Sequence, residues 1–231
     1  MDPHFTPLLL AARKRYYEWL ASTHIDPGTN MEHPVAGKSV RSALNKIQAW
    51  TESTRDQWEA MTNVFLKTPE KVWFWSDLHL NHHNIIKYAN RPFHSAPDFN
   101  NELLQQALAV VQPDDWLVFG GDLGMWNDMA SIPEWMKACP GKKLLIMGNH
   151  DIKTRGGPAN LQEWLDLGFC GVADIWVIPA KKQYWLTHYP INPSLLLPNV
   201  INVHGHIHEK SLEGPYINMC VEHHQYAPFH L

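Results

Sequence analysis

The sequence predicts an α/β sandwich, sheets inside and helices outside, with a helical extension at its N-terminus. Two observations predict it. From about Lys71 onward, short apolar runs alternate with helical patterns, whereas the preceding stretch shows helical periodicity alone. Along the same region five polar clusters recur, several of them ending an apolar run: Ser76-Asp77-Leu78-His79, Gly121-Asp122, Gly148-Asn149-His150-Asp151, Thr187-His188-Tyr189 and Gly205-His206-Ile207-His208. With 231 residues and 45% hydrophobic content the chain can bury a substantial core.

Taken in order, residues 1–68 form the extension and 69–231 the main domain. Thr6-Pro7 is a cap and first-turn pair, and Leu9, Ala12, Tyr16, Trp19 and Leu20 recur at helical spacing, predicting a helix from Pro7 to Ala21. The Pro- and Gly-rich stretch His24 to Gly37 reads as a connecting loop. A longer helix is expected from Ser39, carrying Val40, Leu44, Ile47, Trp50, Trp58, Met61 and Phe65, with an interruption around Thr51 to Thr54. Together they make a helical hairpin whose aromatic stripes dock on the main domain, or else form a lid or a dimer contact. Gly37-Lys38-Ser39 resembles the end of a phosphate-binding loop, but Glu32 stands where that motif requires glycine.

In the main domain the expected strands are Val72–Ser76, Trp116–Gly120, Lys143–Met147, Ile175–Pro179, Gln183–Thr187, Asn199–Val203 and Tyr216–Val221. Helices are expected over His83–Tyr88, Asp98–Val111, Ser131–Ala138 and Ala159–Leu167. Helices separate the first three strands, which implies parallel crossovers; the later strands follow closely, which implies antiparallel pairs.

Composition excludes several classes. A net charge of -4 gives no overall basic field for nucleic acid. Three cysteines, Cys139, Cys170 and Cys220, contain no C-x-x-C pair, so neither a disulfide framework nor a thiolate zinc site is expected, and a reducing cytoplasm fits best. No signal peptide or membrane-spanning run is read.

The chemistry lies in the polar clusters. Ligands in open α/β sheets gather beyond the carboxyl ends of parallel strands, which is where Asp77, His79, Asp122 and Asn149 fall. The i, i+2 spacing of Asp77 and His79, and again of His206 and His208, sends both side chains to one face of a strand, so that they can converge on one ion. Asp122 follows Gly120-Gly121 and, as a carboxylate, has two oxygens with which to bridge two cations. Mixed nitrogen and oxygen donors without thiolate, as at Asn149, His188, His206 and His208, suit manganese, iron, nickel or zinc.

The ordered series D-x-H, G-D, G-N-H-D, lone His and G-H-x-H resembles the calcineurin-like metallophosphoesterases over about residues 71–222. His83-Asn84-Ile85-Ile86-Lys87-Tyr88 with Asn90-Arg91-Pro92-Phe93 is similar to a bacterial and bacteriophage branch of that superfamily. The resemblance implies a four-layer α-β-β-α sandwich and two divalent transition metals, manganese favoured. It implies that Asp77, His79, Asp122 and His208 hold one metal, and that Asp122, Asn149, His188 and His206 hold the other. It makes His150 the catalytic histidine, with Asp151 orienting it. A second carboxylate found in some members is replaced by Met125.

The implied reaction is hydrolysis of a phosphomonoester or phosphodiester by a metal-bridging hydroxide. A small phosphorylated molecule or nucleotide is the expected substrate; a DNA or RNA nuclease and a non-catalytic metal-binding scaffold are the alternatives. His83, Asn84 and Arg91 are the candidate substrate contacts, and Lys87, Lys153 and Arg155 are further cations near the motifs. No membrane partner is expected, and the sequence sets no oligomeric state.

Overall fold

The computed structural model describes residues 5–25, 32–126, 131–153 and 156–231; Arg155 and the side chain of Lys153 lie outside the described parts, as do residues 26–31 of the expected loop. Helix α1 (Phe5–Ala21) leads into a short antiparallel pair, β1 (Thr23–Ile25) with β2 (Glu32–Pro34), where a loop was expected. The expected long helix is two, α2 (Lys38–Ser53) and α3 (Arg55–Phe65), broken at Thr54.

Two four-stranded sheets follow. The first comprises β3 (Val72–Trp75), β4 (Trp116–Phe119), β5 (Lys142–Ile146) and β6 (Phe169–Ala173), all parallel and in sequential order. Its strands alternate between two cores: Val72, Phe74, Val118, Leu144 and Ile146 face one, Trp75, Leu117, Phe119 and Leu145 the other. Period-2 alternation of apolar side chains on both faces is what a fully buried parallel sheet demands. The outer core is completed by α5 (Ala96–Val110), α6 (Ser131–Ala138) and Trp164 of α8 (Leu161–Asp166). The one-turn helix α4 (Ile85–Tyr88) is shorter than the expected helix, and α7 (Asn149–Lys153) was not expected.

The second sheet has the order β10-β9-β8-β7, from β7 (Trp176–Pro179), β8 (Gln183–Thr187), β9 (Val200–His204) and β10 (Tyr216–Asn218). The β7–β8 pair is antiparallel, as expected within this half, while β8–β9 and β9–β10 are parallel. The last expected strand stops at Asn218 and is followed by a 3-10 turn, Val221–His223. Bridges from Ser76 to Cys220 and from Phe74 to Phe229 tie the C-terminal segment to the edge of β3. The result is the expected sandwich of two sheets with helices outside.

Strand β6 was missed because it runs into β7 with only Asp174-Ile175 between, although the two strands belong to different sheets. Asp174 is buried at that crossing. Its carboxylate accepts from Arg13 Nε at 2.7 Å and Nη2 at 3.0 Å, from Tyr17 Oη at 2.6 Å and from Thr51 Oγ1 at 2.7 Å. A buried carboxylate is tolerated only with such compensation. Thr54 Oγ1 serves the outer edge of β6, donating to Val172 O and accepting from Val172 N. The break between α2 and α3 thus covers a sheet edge that would otherwise expose unpaired backbone groups.

Among the described residues no helix is long and apolar enough to cross a membrane.

Candidate metal centre

Each chemical cluster sits just past a strand end: Asp77 and His79 after β3, Asp122 after β4, Asn149 and His150 at the start of α7 after β5, His188 after β8, and His206 and His208 after β9. The two sheets therefore present their carboxyl ends to one place. The i, i+2 pairs do not converge because they lie on strands. Asp77 (φ 57°), His79 (φ 52°), Asp122 (φ 54°), His206 (φ 74°) and His208 (φ 50°) are all in the left-handed region. Each such non-glycine residue costs roughly 1–2 kcal/mol, strain of the kind held at functional sites by the surrounding fold. Hydrogen bonds from Asp77 N to Gly121 O and from His79 N to Asp122 O zip the first two loops together.

Among the described residues three groups of donor atoms result, each within 4.8 Å: Asp77–His79–His208, His79–Asp122–His150 and Asp122–His188–His206. Asp122 belongs to two of them. Its Oδ2 lies 3.6 Å from His79 Nε2 and 3.5 Å from His188 Nε2, and Asn149 Oδ1 lies 3.1 Å from His188 Nε2. All the expected ligands are brought together.

Each carboxylate has one oxygen held by protein and one presented. Asp77 Oδ2 accepts from Ser76 Oγ, His206 N and Cys220 Sγ, while Asp77 Oδ1 is buried with no partner, 3.9 Å from the equally partnerless His79 Nε2. Asp122 Oδ1 accepts from His150 N at 2.8 Å, leaving Oδ2 facing the histidines. On the imidazoles, His188 Nδ1 lies 2.9 Å from Gly120 O, which turns its Nε2 toward Asp122 and Asn149, and His208 Nδ1 lies 3.3 Å from Glu222 Oε1. Orphaned buried atoms are costly unless something completes them, and here they point at one another across a gap that a cation fits. A Cβ at Gly148 would fall on Asp122 Oδ1, and one at Gly205 on Asp77 Oδ2, so both motif glycines are there for close approach.

The electrostatics agree. Burial opposes ionisation of Asp122, yet His188 and then His79 hold it far below the usual carboxylate range. Burial likewise opposes a charged His188, but Asp122 pushes that ring up to about 10. Burial pushes His79 well down, and burial together with His188 lowers His206 to about 3. The buried Asp122 carboxylate thus favours positive charge beside it, as a cation site requires.

Three expectations are corrected. Asp151 does not orient the His150 ring: Oδ2 accepts from Asp122 N and Gly148 N, and Oδ1 from Leu123 N, so it clasps the G-D loop to the G-N-H-D loop. Arg91 is not placed as a substrate contact, being 4% exposed, with Nη1 on Leu78 O, Nη2 on Asp77 O, and Nε and Nη2 on Glu222 Oε1. His83 and Asn84 are exposed and have no bond to the cluster, whereas their neighbour His82 lies with Nδ1 3.4 Å from His79 Nδ1 and its ring 5.9 Å from that of His150. His82 and Glu222 were missed; the first was visible in the run His82-His83, while nothing local marks the second.

Strand-end aspartates and histidines converging from two sheets form a cluster that could hold metal ions. The calcineurin-like phosphoesterase family model matches residues 70–225, and the chain belongs to that family. Metal-dependent phosphoester hydrolysis is therefore the chemistry its family suggests, and divalent metals are what that family binds. The chain is 31% identical over 150 residues to an uncharacterized protein, MJ1445, of Methanocaldococcus jannaschii, covering 64% of this chain and 76% of that one. It is 32% identical over 82 residues to the gene 66 protein of Mycobacterium phage L5, covering 35% of this chain and 39% of the phage protein, in keeping with the bacteriophage branch. The crystal structure of AQ665, a protein of unknown function from Aquifex aeolicus, superposes with a TM-score of 0.54 at 29% identity, over 69% of this chain and 94% of that one.

Proposed function

We propose that the chain is a dinuclear metal-dependent phosphoesterase acting on a small phosphorylated molecule or nucleotide. The observation that carries the proposal is Asp122 Oδ2, shared between the donor groups of His79 and of His188. Asp77, His79, Asp122 and His208 would hold one cation; Asp122, Asn149, His188 and His206 the other. Nitrogen and oxygen donors without thiolate favour manganese, with iron, nickel and zinc as neighbours in preference. Bound there, two such cations supply positive charge for the phosphate oxygens and acidify a water.

The chain supplies the rest. The backbone of His150 is fixed by its N–H bond to Asp122, while its ring, half-buried beside His79 and His82, faces the cluster. That placement suits protonation of the departing ester oxygen. Asp151 fixes the loops that carry Asp122 and His150, and Arg91 with Glu222 fixes Asp77 and His208. Cys139, Cys170 and Cys220 are unpaired, which supports a reducing, cytoplasmic setting. The negative net charge favours a small substrate over nucleic acid.

The test is His150→Asn assayed on an aryl and an alkyl phosphodiester beside metal analysis of the same preparation. The proposal predicts parental metal content and a loss of about 10² to 10⁴ in kcat on the alkyl ester. The aryl ester, whose leaving group departs without protonation, loses far less. Equal losses on both esters refute the acid role.

A further inference from the structure

On the His206 side of the donor cluster lies a shallow cavity of about 200 Å³ lined by Trp19, Val35, Tyr189, Pro190 and His206. Trp19 and Val35 precede the family-matched region, which begins at residue 70. The cavity is built by specific bonds: Trp19 Nε1 donates to Pro190 O at 2.6 Å, and Tyr189 N donates to Tyr16 Oη at 3.3 Å. Val35 N donates to Ser22 O, fixing Val35 against the end of α1. The Tyr189 ring stands 4.2 Å from that of His206, a member of the Asp122–His188–His206 group.

Its walls are an indole, a phenol ring, a proline and a valine, and the Pro190 carbonyl is already engaged by Trp19. Such a lining recognises a flat apolar group by contact area, not by hydrogen bonds. A cavity of about 150 Å³ accepts benzene, so this one has room for a planar ring. His206 is common to the cavity and the cluster, so the two adjoin.

Resting on the phosphoesterase reading, we propose that the N-terminal extension completes the substrate site: this cavity receives a planar ring, aryl or nucleobase, carried on the ester oxygen. Trp19 is the specificity-determining residue. The extension thereby restricts the substrate to phosphoesters of ring-bearing alcohols.

Two measurements test this. In the first, the Trp19 indole resonance, assigned by its absence from Trp19→Phe, is followed while adenosine, phenol or glycerol is added to the metal-free full-length protein. It should move with adenosine or phenol and stay put with glycerol; no movement at millimolar adenosine and phenol overturns the proposal. Movement with phenol as well as adenosine indicates an aryl site, and with adenosine alone a nucleobase site; both support it. In the second, Trp19→Ala should lose roughly tenfold in kcat/KM on a phenyl phosphodiester, stay within about twofold on a glycerol phosphodiester and keep its metal content, with Trp19→Phe restoring most of the loss. Equal losses on both esters overturn the proposal. A metal-loaded wild type that turns over neither the phenyl and glycerol phosphodiesters nor the corresponding phosphomonoesters, while the indole resonance still moves, refutes the phosphoesterase reading and leaves the ring site standing.

Discussion

Arg91→Met separates a structural clamp from a substrate contact. In the structure the Arg91 side chain is fully buried and bonds two backbone carbonyls, Asp77 O and Leu78 O, and the Glu222 carboxylate, whose side chain is 5% exposed. Removing the guanidinium leaves Glu222 as a buried carboxylate without its cationic arginine partner, for which about 3–5 kcal/mol is the ordinary cost. Two carbonyls left unsatisfied would each add about 1 kcal/mol or more, though relaxation recovers some of it. A net loss of about 4 kcal/mol corresponds to a fall in Tm of roughly 8–16 °C for a chain of this size. Circular dichroism melts of parent and variant, metal-free and metal-loaded, measure it. Because Arg91 holds the backbone of the D-x-H loop, the metal-loaded form should lose more than the metal-free form. Glu222 supplies a check on pH: burial opposes its ionisation, but His208 and Arg91 hold it below the ordinary glutamate value. A depressed carboxylate contributes stability above its unfolded value and loses that contribution as the pH falls through the folded one. The parent's advantage over Arg91→Met should therefore shrink below about pH 4.5. An unchanged Tm with a raised KM would refute this account and restore Arg91 as a substrate contact.

Metal binding should release protons, because His188 is held protonated near neutrality by Asp122 and must be neutral to bind a metal. Affinity should rise about tenfold per pH unit near neutrality, measured by calorimetry in buffers of different ionisation enthalpy; pH-independent affinity contradicts the pairing. Asp174→Asn should cost about 3 kcal/mol in urea unfolding, since it leaves the buried Arg13 guanidinium with Glu52 alone, and a change under 1 kcal/mol would show that the buried pair does not anchor α1. In native protein one thiol should react with a disulfide reagent ahead of the others: Cys170 is half-buried, whereas burial pushes Cys139 up to about 12 and Cys220 well above the usual thiol value. Three thiols reacting at one rate would contradict that ordering.

The metal ligands were legible because each follows an apolar strand closely, so that sequence order alone delivers them to the carboxyl ends of two sheets. The reason they converge was not legible: left-handed backbone at Asp77, His79, His206 and His208 is set by neighbouring loops, and the preference of aspartate and histidine for that region is too weak to mark it. Long-range polar pairs were equally silent. Arg91 and Glu222 are 131 positions apart, and Arg13 and Asp174 are 161 apart. A charged residue near a motif reads as exposed until such a partner is known. Asp151 adjoins His150 in sequence, yet its bonds go to backbone amides, because the loops it joins lie closer than the ring. Strand β6 escaped because Gly171 weakens its pattern and the chain changes sheets within two residues of its end.

Two cations sharing Asp122 lie at the heart of the proposed chemistry. Anomalous scattering from crystals grown with manganese tests it most directly. The account predicts two peaks about 3.5–4 Å apart. The Asp122 carboxylate should lie between them, with Asp77, His79 and His208 around one and Asn149, His188 and His206 around the other. A single peak, or two peaks that Asp122 does not bridge, would contradict it.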